Sequence, residues 1–133
     1  VGAQLGTMEC VKALTDVTGF GLLGHLLEIC EGSGVSATIR FTAVPKMENV
    51  MHYLEKNCIP GGTYRNWKSY GNRIDEITEQ QKLILADPQT SGGLLIAVHQ
   101  ADDAFNTLAR QHSFVEIGML HSGSDGVLIQ VTD

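Results

Sequence analysis

A carboxylate, Asp16, opens a glycine-spaced turn in the stretch Thr15-Asp16-Val17-Thr18-Gly19-Phe20-Gly21-Leu22-Leu23-Gly24-His25. These residue types suit two kinds of chemistry. A hard carboxylate oxygen binds a divalent cation, and a helix N-terminus approached through glycines binds phosphate. A structural role fits the same spacing, with Asp16 or Thr18 capping the helix that begins there. Two further stretches are as dense in polar groups. In Pro60-Gly61-Gly62-Thr63-Tyr64-Arg65-Asn66 a turn signal precedes Thr63, Arg65 and Asn66, which are of the kind that contacts phosphate. Arg65 is equally able to pair with a local carboxylate. In Asp87-Pro88-Gln89-Thr90-Ser91-Gly92-Gly93 small hydroxyls stand beside glycines, just before an apolar run. Such a loop either aims backbone N–H groups at an anion or makes a tight entry into a buried strand. It lacks the Gly-Lys-Ser/Thr element of a Walker A loop.

The other reactive residue types form no constellation. His25, His52, His99, His112 and His121 have no metal-ligand spacing, so surface or hydrogen-bonded structural roles are expected of them. His25 falls opposite Leu22 and Leu26 and is expected to face solvent or a second domain. Cys10, Cys30 and Cys58 form no CxxC pair, which fits a reduced, cytoplasmic chain. Cys30 belongs to an apolar helix face. No residue here is assigned as a catalytic nucleophile.

The elements that must position these residues follow from periodicity. Leu22, Leu23, Leu26, Leu27 and Cys30 share one face of a helix expected over about 19–31, stopped by Gly32-Ser33-Gly34. Residues 35–41 alternate as a half-buried strand. Helical spacing returns at 47–56, while 63–70 reads as a short helix or an ordered loop. A helix capped by Thr78 is expected to reach Leu85, and Asp102-Asp103 to cap one over 100–111. Leu94–Val98 is apolar on both faces and reads as a central strand. Strands at 114–120 and 127–131 are expected to form a hairpin through a turn at 122–126. The implied class is α+β, a layered mixed β-sheet covered by helices. Residues 1–12 lack periodicity and read as a linker remnant before a domain over 13–133.

Composition narrows the function. The 133 residues carry a net charge of −6, which argues against a nucleic-acid partner. The longest apolar run is far too short to cross a membrane. Any phosphate bound here must meet backbone N–H groups, an intervening metal or residues from another domain. The opening Val1 reads as the start of an excised segment.

The three stretches, in this order, resemble the C-terminal half of the selenophosphate synthetase (selenide, water dikinase) family, whose fold is that of the aminoimidazole ribonucleotide synthetase-like superfamily. The resemblance runs from about Ala13 onward. It implies an enzyme that converts ATP, selenide and water into selenophosphate, AMP and phosphate. It implies that Asp16 is a ligand for the Mg²⁺ that holds ATP, and that Thr63, Arg65, Asn66, Thr90, Ser91, Gly92 and Gly93 line the nucleotide site. The family's catalytic Cys or selenocysteine, its Lys and most of the ATP pocket belong to an N-terminal domain. That domain is the implied partner, the full-length protein an implied homodimer, and this part alone an inactive one. A non-catalytic paralogue that binds or regulates a partner, or another ATP-using superfamily member, are the alternative readings.

Overall fold

The structure is a computed structural model, describing residues 1–123 and 126–133. The elements run α1 (Gly2–Leu5), β1 (Val11–Asp16), α2 (Gly21–Ser33), β2 (Val35–Arg40), α3 (Val50–Glu55), α4 (Gly61–Tyr70), α5 (Glu79–Leu85), β3 (Leu94–Val98), α6 (Asp103–Gln111), β4 (Gly118–Ser122) and β5 (Ile129–Thr132). The α+β class is borne out.

Helix α2 is the centre of the packing. Leu23, Leu26, Leu27 and Cys30 recur at helical spacing and are all buried, while Glu28 points outward. Gly34 caps the helix and its N–H bonds the Cys30 carbonyl. The buried face meets Ala37 and Ile39 of β2 together with Leu128 and Ile129 on one side. Val17, Tyr70, Leu85, Ala86 and Leu95 close the same core. Helices α5 and α6 begin at side-chain caps: Thr78 and Gln81 form a reciprocal capping box, and Asp102 accepts from the Phe105 N–H at 2.7 Å. The segment at 63–70, left open between helix and loop, lies in α4. The helix expected over 47–56 is confined to Val50–Glu55, and Met47 is largely exposed.

The architecture differs from expectation in three places. First, β4 and β5 do not form a hairpin. They flank β2 in the order β4-β2-β5, with β4 antiparallel and β5 parallel to it. Two short apolar runs close in sequence suggest mutual pairing, but the alternating strand β2 has both edges free and takes one on each. The turn expected at 122–126 includes Ser124 and Asp125, which lie outside the described residues.

Second, β3 is no central strand. Among the described residues it pairs antiparallel with β1 alone, and of its own five residues only Leu95 is buried. Its remaining apolar side chains line an open groove of about 1350 Å³ that also reaches Leu54, Ile84 and Phe105. An apolar run records that a strand has something to cover, not which element covers it. Third, residues 1–12 hold α1, the fully buried Leu5 and the first two residues of β1.

Candidate functional site

The β1–α2 turn carries the Asp16 carboxylate. Asp16 is the last residue of β1, opposite Leu94, and its side chain is exposed. Among the described residues no side chain pairs with this carboxylate. Neither Asp16 nor Thr18 caps α2. Phe20 occupies the N-cap position without a side-chain bond, and the turn closes through Gly21 N–H donating to the Thr18 carbonyl at 3.0 Å.

The other two polar stretches hold this turn in place, carbonyl by carbonyl. Gln89 N–H donates to the Thr18 carbonyl at 3.0 Å. Asn66 Nδ2 donates to the Gly19 carbonyl at 2.8 Å and to the Ala86 carbonyl at 2.9 Å. The Tyr70 hydroxyl donates to the Phe20 carbonyl at 2.7 Å. Val17 N–H donates to the Gly93 carbonyl at 2.9 Å, which extends the β1–β3 pairing past Asp16. Gly21 has φ +70°, and a Cβ there would lie 2.8 Å from the Ala86 carbonyl carbon. Only glycine meets both the backbone angle and the close approach.

The residues expected at the site divide into two groups. Thr63 is fully buried and Asn66 nearly so; with Tyr70 they form the inward face of α4. Thr63 Oγ1 donates to Asp87 Oδ1 at 3.2 Å, and Gln89 Nε2 donates to Asp87 Oδ2 at 2.8 Å. Burial raises the Asp87 carboxyl above the usual carboxylate range, and those two hydrogen bonds pull it partly back. Burial likewise holds the Tyr70 phenol above its ordinary range. Thr63 and Asn66 thus spend their polar groups on the protein itself. By contrast Arg65, Thr90, Ser91, Gly92 and Gly93 are exposed. Gly92 is pressed against the chain just after β1: a Cβ there would lie 2.2 Å from the Val17 carbonyl oxygen.

His25 departs from expectation. It is 7 % exposed rather than solvent-facing. Its Nε2 lies 3.0 Å from Thr18 Oγ1 and its Nδ1 3.0 Å from Glu28 Oε2. The turn curls back over the first turns of α2, so a residue off the leucine stripe is covered by its own N-terminal flank. Sequence reasoning also missed Tyr70 and Gln89 as supports. A signal for Tyr70 exists in the spacing 63, 66, 70, which marks one helical face.

Among the described residues no group of three or more His, Cys, Asp or Glu side chains is arranged to hold a metal ion, and no helix is long and apolar enough to cross a membrane. What the arrangement offers is one free carboxylate on a turn whose backbone is tied down on every side. Mg²⁺ takes hard oxygens and is usually held by one or two carboxylates plus phosphate oxygens and water, so Asp16 fits as one ligand of a shared set.

A family model described as "AIR synthase related protein, C-terminal domain" matches residues 2–130. The curated selenide, water dikinase of Photorhabdus laumondii is 51% identical over 137 aligned residues, covering 100% of this chain and 40% of that protein. The selenide, water dikinase of Pseudomonas putida is 55% identical over 103 residues, 77% of this chain and 30% of that protein. That of Pasteurella multocida is 57% identical over 98 residues, 74% of this chain and 28% of that protein. The chain therefore spans well under half the length of these relatives.

Proposed function

The chain belongs to the AIR synthase related protein, C-terminal domain family, and from that premise we propose that it is the C-terminal part of a cytoplasmic selenide, water dikinase that makes selenophosphate, AMP and phosphate from ATP, selenide and water. The observation that carries the reading is the free Asp16 carboxylate on a turn braced by both other polar stretches. A ligand held to that rigidity loses little freedom on binding, which is what preorganised charge stabilisation requires.

Asp16 contributes one oxygen to Mg²⁺, and the ion, when bound, offsets negative charge on the phosphates of ATP. Thr90, Ser91, Gly92, Gly93 and Arg65 form the exposed wall beside it and present hydroxyl, N–H and guanidinium donors to phosphate. Thr63 and Asn66 serve the same wall from behind, fixing Asp87 and the Gly19 carbonyl. The remaining carboxylates, the nucleophile and most of the nucleotide pocket come from an N-terminal domain, through which the full-length protein forms a homodimer.

Phosphorus NMR of the full-length protein with Mg²⁺-ATP and selenide tests the reading. Wild type yields selenophosphate, and Asp16→Asn lowers its rate on the order of 100-fold with the fold intact. Undiminished product from Asp16→Asn removes Asp16 from the site. No product from wild type favours the non-catalytic paralogue, and product from the 133-residue domain alone overturns its proposed dependence on a second domain.

A further inference from the structure

We infer that Thr18 is a second oxygen donor to the cation proposed for Asp16, and that His25 and Glu28 are positioning residues that set the direction of its hydroxyl; this rests on the reading of Asp16 given above. Three observations carry it. Val17 is buried between exposed Asp16 and Thr18, and its N–H continues the strand pairing, so two oxygen-bearing side chains flank a buried one at the end of β1. The Thr18 hydroxyl is engaged from behind by a nearly buried imidazole at 3.0 Å. The other nitrogen of that ring is engaged by a carboxylate, also at 3.0 Å.

The hydrogen-bond inventory then fixes the polarity of the chain. A carboxylate only accepts, so Nδ1 carries a proton toward Glu28. In the tautomer with hydrogen on Nδ1 alone, Nε2 keeps its lone pair and accepts from the Thr18 hydroxyl. The Thr18 proton then points toward His25, and the oxygen lone pairs are left for a ligand. A hydroxyl held this way offers a hard acceptor oxygen and no competing proton. Without the relay it rotates freely between offering and withholding that oxygen. His25 has both nitrogens occupied and a side chain that is 9% exposed, so it acts through Thr18 and touches no ligand itself. Outer partners of this kind, which orient a ligating group, typically affect metal affinity by about 10–100-fold.

The test measures Mn²⁺ affinity of the full-length protein by electron paramagnetic resonance, with the thermal midpoint recorded for each variant. Thr18→Val removes the oxygen at nearly constant shape and is expected to weaken Mn²⁺ binding roughly ten-fold. Thr18→Ser restores the oxygen and is expected to stay within about three-fold of wild type. Glu28→Ala, at a side chain that is 59% exposed, leaves the core packing alone and is expected to weaken binding several-fold. A structural role alone would lower the thermal midpoint without this order of affinities. Wild-type affinity in Thr18→Val, alongside weakened binding in Asp16→Asn, overturns the role of Thr18 and leaves Asp16 standing. Wild-type affinity in both variants overturns the reading of Asp16 as well. Should Thr18→Val not fold, the other two decide: wild-type affinity in Glu28→Ala, or loss in Thr18→Ser, overturns the inference.

Discussion

One amide nitrogen of Asn66 serves two backbone carbonyls that belong to different polar stretches, Gly19 in the first and Ala86 beside the third. Removing it strands both acceptors, the Ala86 carbonyl in a buried position. Asn66→Ala is therefore expected to lower stability by about 1–3 kcal/mol, measured by denaturant unfolding of the full-length protein. Asn66→Asp is expected to be worse, because a carboxylate offers those carbonyls acceptors only. A variant as stable as wild type would mean that the turn has other support. At this scale the residue types were legible and their partners were not. The sequence marks Thr63 and Asn66 as polar and suited to phosphate, but the groups that engage them are a carboxylate 24 residues onward and main-chain carbonyls, which no side-chain pattern announces. His25 was misjudged for a related reason, since the chain that covers it is its own preceding turn.

Among the elements, the β1–β3 pair depends on a close crossing where Gly92 meets Val17. The two neighbouring glycines should respond differently. Gly92→Ala drives a methyl into the Val17 carbonyl and is expected to cost on the order of 1–3 kcal/mol, with loss of the Val17–Gly93 hydrogen bond. Gly93→Ala meets no atom within 4 Å and is expected to change the thermal midpoint little. Equal effects from both would show that the crossing is looser than its geometry. Helices α2, α5 and α6 were legible because their evidence is local: leucines at helical spacing, a capping box and an aspartate cap. Strand β1 was not. Its six residues mix apolar and polar types without a clear period, and its identity as a strand comes from a partner about 80 residues away.

For the molecule as a whole, the core imposes a dependence on alkaline pH. Burial, with Glu31 adding repulsion, pushes the Cys30 thiol up to about 11 from its ordinary 9.0. The unfolded chain then releases this proton before the folded one does. Stability is unaffected by the group below about pH 9 and falls as pH rises from there toward about 11. Cys30→Ala is expected to be less stable at neutral pH, because it opens a cavity under α2, but to decline less steeply across that window. Denaturant midpoints between pH 7 and pH 10 check this, and parallel curves would count against it. The α+β class and the burial of α2 were readable from composition and period. The placement of β4 and β5 on opposite edges of β2 was not, because it is decided by long-range pairing.

That placement has a consequence in time. Val35–Arg40 is made early, yet both its neighbours lie in residues 118–132. While the chain is being synthesised, the two edges of β2 wait for residues 118–132 to appear. Local helices can form at once, but the three-stranded sheet cannot close until synthesis of those residues is finished. Until then the nascent domain shows open strand edges, surfaces to which chaperones and other unfinished chains adhere.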